Sequence, residues 1–72
     1  MKPVIEREDL TEDVLRLAED ISDGFYPDGE PIDWYNFIDR MEMSGYDFGS
    51  SMESPAIKGL KAHVRKFRKT ES

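Results

Sequence analysis

One histidine, His63, and no cysteine occur in the chain, so few side chains can serve as nucleophile, general base or metal ligand near neutral pH. On a helical wheel His63 falls at the edge of an apolar line beside Leu60 and Phe67. A half-buried ring with one satisfied nitrogen is the expected state there, ahead of proton transfer or metal ligation. A Ser-His-acid triad also needs a pocket and an oxyanion hole, which 72 residues are too few to build. No catalytic residue is nominated, and the chain reads as a non-enzyme. The lack of cysteine removes disulfides, thiolate nucleophiles and cysteine zinc sites together.

Carboxylates gather at Asp20, Asp23, Asp28 and Glu30, a density that invites a calcium reading. An EF-hand loop started at Asp20 puts Phe25 where the glycine belongs and Pro31 where the bidentate glutamate belongs, and starts at Asp23 or Asp28 fail as badly. Asp28-Gly29 reads instead as turn chemistry, and the remaining acids as a solvated face. Asp47-Phe48-Gly49 spells the magnesium-binding tripeptide of protein kinases without the glycine-rich loop, lysine or catalytic loop that give it work. No phosphate-binding glycine spacing follows a strand. No metal, cofactor or small-molecule substrate is expected.

A more specific pattern lies near the end of the chain. Lys58, Lys61, Arg65 and Arg68 recur at i, i+3, i+7 and i+10, with Lys69 beside them, which places five cations on about a 100° arc of one helix. Charge is divided along the chain: residues 1–53 hold fifteen acidic and four basic side chains, net −11, and residues 54–72 hold six basic and one acidic, net +5, which together make the −6 of the whole. Pairing of the stripe with Asp13 and Asp20 inside the fold is the first expectation, an acidic protein surface the second, and a nucleic-acid backbone the third. Against nucleic acid stand the net −11 of the remaining chain and the lack of an outward aromatic on the basic helix to stack bases.

The elements that must position these residues are three helices. Gly and Pro at 24–31 and Gly with Ser at 44–54 divide the chain, giving segments near 9–23, 31–44 and 54–69, an all-α, compact three-helix domain spanning 1–72 with a long Gly/Ser-rich loop between the second and third helices. Residues 1–8 and 70–72 are expected to be loose. The first segment opens at Asp9 as N-cap with Glu12 three residues on and closes at Gly24. The second starts at Pro31 and stops at Gly45. The third opens with Ser54-Pro55, an N-cap followed by proline. Apolar residues at helical spacing nominate a core of Leu10, Val14, Leu17, Ile21, Trp34, Phe37, Ile38, Met41, Ile57, Leu60, Val64 and Phe67. Burial of Trp34 is expected to dominate it, and Glu19 is expected to lie on an exposed face and to matter little.

Ile32, Tyr35 and Met43 fall outside the main stripe of the second helix, and Tyr46, Phe48 and Met52 interrupt the loop after it. The loop aromatics are expected first as a lid over one end of the core and second as a docking patch. Ile32, Tyr35, Met43, Tyr46 and Phe48 are the candidate partner-binding residues, supported by further aromatics near loops at Phe25 and Tyr26. The functional expectation is a small acidic protein-interaction module, a regulator or inhibitor that occupies a partner's surface or self-associates. Nucleic-acid binding through the basic helix 54–69 is the alternative. No charge-free stretch is long enough to cross a bilayer and the first residues lack an apolar signal core, so a cytoplasmic location is expected.

Overall fold

The computed structural model describes residues 4–27, 29–49 and 51–71, with side chains as far as Lys69. A 3-10 turn, Arg7–Asp9, leads into three helices, α1 (Glu12–Phe25), α2 (Trp34–Met43) and α3 (Pro55–Glu71), and no strand occurs among the described residues. The all-α, three-helix architecture read from apolar spacing is the one observed. Several boundaries differ, each for a local reason.

Asp9 does not cap α1. It closes the 3-10 turn, where its carboxylate accepts the Glu6 N–H at 3.0 Å, and Thr11 takes the N-cap position. At the other end Gly24 is not a left-handed cap; the helix runs through it to Phe25. The stop comes from Pro27, which drives the preceding residue out of the helical region: Tyr26 sits at φ −136°, ψ 87°. Pro31 is likewise not the first helical residue of α2. Asp33 is a stronger N-cap, its carboxylate accepting the N–H groups of Tyr35 and Asn36 at 3.1 and 3.3 Å, so Pro31 and Ile32 stay in the connection.

The other end of α2 is as expected. Gly45 adopts φ +106°, its N–H donates to Glu42 O, and the Tyr46 N–H donates to Met41 O at 3.0 Å; this paired pattern ends a helix on a left-handed glycine. Ser54 caps α3 with its Oγ 3.3 Å from the Ile57 N–H.

The core joins Val14, Ala18 and Ile21 of α1, Phe37, Ile38 and Met41 of α2, and Ala56, Ile57, Leu60 and Val64 of α3. Tyr26 and Phe48 complete it from the two connections. Leu10, Leu17, Trp34 and Phe67, expected at the centre, are half-buried. Trp34 stands in the first turn of α2, at the rim, with its ring centroid 5.1 Å from that of Phe37, which holds the centre instead with no exposed surface.

The segment before the 3-10 turn also makes ordered contacts: Ile5 packs against the core and its N–H donates to Asp47 O at 2.7 Å. That bond fastens the chain start to the residues around Phe48. Residues 1–3 and 72, part of the termini expected to be loose, lie outside the described residues, as does Asp28.

Candidate functional site

The five candidate partner-binding residues separate into three environments. Phe48 is 2% exposed and belongs to the core; Tyr46 and Ile32 are half-buried against it. Only Tyr35, 75% exposed, and Met43, 79% exposed, face outward from α2, with the exposed Asp39 and Glu42 between them. Phe48 therefore leaves the set of docking residues. Tyr26 leaves as well, since its ring packs 6.2 Å from Phe37 and its hydroxyl donates to Asn36 Oδ1 at 2.8 Å.

Phe25 joins the outward pair from α1. It is 51% exposed because the pre-proline break ends the helix immediately after it. The Arg40 guanidinium lies 3.6 Å from its ring centroid and donates through Nε to Asn36 Oδ1 at 2.9 Å. Asn36 thus receives both the Tyr26 hydroxyl and Arg40, which fixes the arginine over the phenyl face. Ile21, Phe25, Arg40, Met43 and Ser44 line a shallow cleft of about 170 Å³ there. Phe25 was legible in sequence only as an aromatic near a loop; its outward phase follows from the two residues by which α1 runs past its expected end.

The basic stripe is also divided. Arg68 turns inward: NH1 donates to Tyr26 O at 3.0 Å and to Ser22 Oγ at 3.4 Å, and NH2 donates to Pro27 O and Glu30 O. It supplies a cation to the C-terminal end of α1, whose own last turn has none, the position where the helix dipole favours positive charge. That vacant last turn is the sequence signal that points to such a clamp. Lys61 and Arg65 lie beside Trp34, with Nζ 5.6 Å and Cζ 5.8 Å from the indole centroid. Lys58 and Lys69 are exposed.

Among the described residues neither Asp13 nor Asp20 makes an ion pair with Lys58, Lys61, Arg65 or Arg68. Besides Arg68, α3 reaches α1 through His63, whose Nε2 is 2.7 Å from Glu19 Oε2. Both side chains are about one-third exposed, the border position expected of His63. Glu19, expected on an open face, is the residue that holds the ring.

Among the described residues no group of three His, Asp or Glu side chains converges to hold a metal ion, and no helix is long and apolar enough to cross a membrane. Comparison with protein-family models, with curated proteins and with solved structures finds no match.

Proposed function

We propose that this chain is a small protein-interaction module without a catalytic centre of its own, acting by laying the outer side of α2 on a partner's surface. The observation that carries this reading is the exposure of Tyr35, Met43 and Phe25, large side chains left in water by a domain that buries its other aromatics wholly or in part. Exposed aromatic and methionine side chains rimmed by polar groups are the usual anchors of protein interfaces. Asp39, Glu42 and Arg40 supply that rim. The one histidine is occupied by Glu19 between two helices, which supports binding over turnover.

Nucleic-acid binding through residues 54–69 is the less favoured reading. Arg68 is committed to backbone carbonyls, which shortens the ladder of cations that would meet phosphates, and the chain's net charge of −6 opposes a polyanion.

The test compares the chain with a Tyr35→Ala/Met43→Glu double variant. Since both side chains are exposed, its melting temperature should match that of the parent. Sedimentation should show whether the parent self-associates, and affinity capture from host extract should show a partner retained by Lys58→Ala but lost from the double variant. A strictly monomeric parent whose captured proteins are unchanged in the double variant removes the reading.

A further inference from the structure

A second surface, away from the outer side of α2, has a different chemistry. Where the α1–α2 connection meets α3, Pro31, Ile32 and Trp34 face Arg65 and Arg68 across an open cleft of about 220 Å³, with Glu30 at its rim. One side is apolar, formed by the proline ring, Ile32 and the indole. The other carries Arg65, whose Cζ lies over the indole at 5.8 Å from its centroid; Lys61 does not line the cleft but stands over the same ring, with Nζ 5.6 Å from the centroid, and among the described residues neither cation has a carboxylate partner. Arg68 is held rigidly by the carbonyls of the connection and fixes the end of the cleft. With no carboxylate partner among the described residues, Lys61 and Arg65 are available to an outside anion.

We propose that this cleft docks an acidic segment of a partner protein, with one apolar side chain inserted against Ile32 and Trp34 and flanking Asp or Glu carboxylates on Arg65 and Lys61. The volume suits a single side chain, being below the roughly 300–1,000 Å³ typical of small-ligand pockets. A guanidinium beside an apolar wall binds a carboxylate in two-pronged fashion, and the wall excludes the water that would weaken the pair. The indole could stack a base, but the proline ring and Ile32 offer nothing to a phosphate backbone. A polyanion running beyond the two cations meets Glu30 and the acidic remainder of the chain, whereas a short segment places its few charges where Lys61 and Arg65 stand. This inference is independent of the α2 surface, because Met43 and Tyr35 do not line the cleft.

Trp34 is the only tryptophan of the chain, so its emission reports from the cleft itself. The full chain is titrated with a blocked Asp-Glu-Leu-Asp-Glu peptide, with the same peptide carrying Ser for Leu, and with a short thymidine oligonucleotide, at low and at physiological salt. The leucine peptide is expected to shift Trp34 emission saturably and to bind about tenfold more tightly than the serine peptide, the difference that partial burial of one apolar side chain produces. Arg65→Glu should weaken it at least tenfold through like-charge repulsion, while Met43→Glu leaves it unchanged. Arg65→Gln, which should weaken binding less, serves if the charge reversal disturbs the fold. Tighter binding of the oligonucleotide with a steep salt dependence assigns the cleft to nucleic acid and overturns the proposal. So does the absence of a saturable response to the leucine peptide at millimolar concentration, or an unchanged affinity in both Arg65 variants.

Discussion

Arg68 of α3 donates to the backbone carbonyl of Tyr26 at 3.0 Å, joining two residues 42 positions apart. The same guanidinium reaches Pro27 O and Glu30 O, so one side chain holds the end of α1, the turn after it and the approach to α2. Hydrogen bonds to a charged donor contribute roughly 1.5–3 kcal/mol, against a total stability of about 3–5 kcal/mol expected for a chain of this size without disulfides or metal. Arg68→Ala should therefore lower stability by about 2 kcal/mol in urea unfolding. Arg68→Lys should recover less than half of that, because an ammonium cannot span several carbonyls as the planar fork does. Full recovery by lysine would show that only the charge matters.

His63 and Glu19 form a second polar side-chain contact between α3 and α1, at 2.7 Å. An ionised carboxylate only accepts, so the imidazole Nε2 is the donor. Because both groups are about one-third exposed, solvent screens the pair and the coupling should be small, about 0.5–1 kcal/mol. A double-mutant cycle of His63→Ala and Glu19→Ala measures it directly. Glu19→Ala alone should then be destabilising, whereas Asp20→Ala, exposed and without an ion pair among the described residues, should be nearly silent. Equal effects of the two substitutions would show that the contact adds nothing.

Helix ends carried by a single local signal were legible from residue types; they were misread where two signals compete within a few residues, as Asp9 with Thr11, Pro31 with Asp33 and Gly24 with Pro27. The left-handed stop at Gly45 and the Ser54-Pro55 start each depend on residues no more than a few positions away, and both stand where their types place them. Gly24 was misleading because a second signal, Pro27, lies three residues on and acts through backbone sterics that no cap overrides. The apolar period identified Phe37, Leu60 and Val64 as core, but it could not rank Trp34 against Phe37. Both share a phase, and only the length of α2 puts one at the rim and the other at the centre. The meeting of Trp34 with Lys61 and Arg65 needs α2 and α3 already docked. The aromatic beside the basic stripe thus comes from α2 and not from the basic helix itself, whose own residues gave no sign of it.

That ranking has a stability consequence. Phe37 is fully buried and touches both aromatic neighbours, so Phe37→Ala should cost about 3–5 kcal/mol and leave the chain largely unfolded at room temperature. Trp34, half-buried, should lose about 1–2 kcal/mol on truncation to alanine, and that variant should still melt cooperatively. Far-ultraviolet circular dichroism follows both without needing the indole. A folded Phe37→Ala beside an unfolded Trp34→Ala would reverse the assignment of the core's centre.

Gly24 and Gly59 offer a contrast between two helical glycines. Replacing glycine by alanine in a helix interior gains roughly 1 kcal/mol from reduced backbone entropy in the unfolded chain, and less in a terminal turn. At Gly24 a Cβ would meet nothing within 4 Å, so Gly24→Ala should stabilise by about 0.5 kcal/mol and raise the melting temperature by a few degrees. At Gly59, in the interior of α3, the intrinsic gain is larger, but the added Cβ would lie 3.0 Å from Leu10 Cδ1, so that the methyl of this half-buried leucine must give way by a few tenths of an ångström. The two effects oppose, and Gly59→Ala should be neutral or destabilising in the parent chain. In a Leu10→Ala background the obstruction is gone, and the same substitution should then stabilise by about 1 kcal/mol. If Gly59→Ala instead gave the same gain in both backgrounds, the close approach of Leu10 to α3 would have no energetic weight.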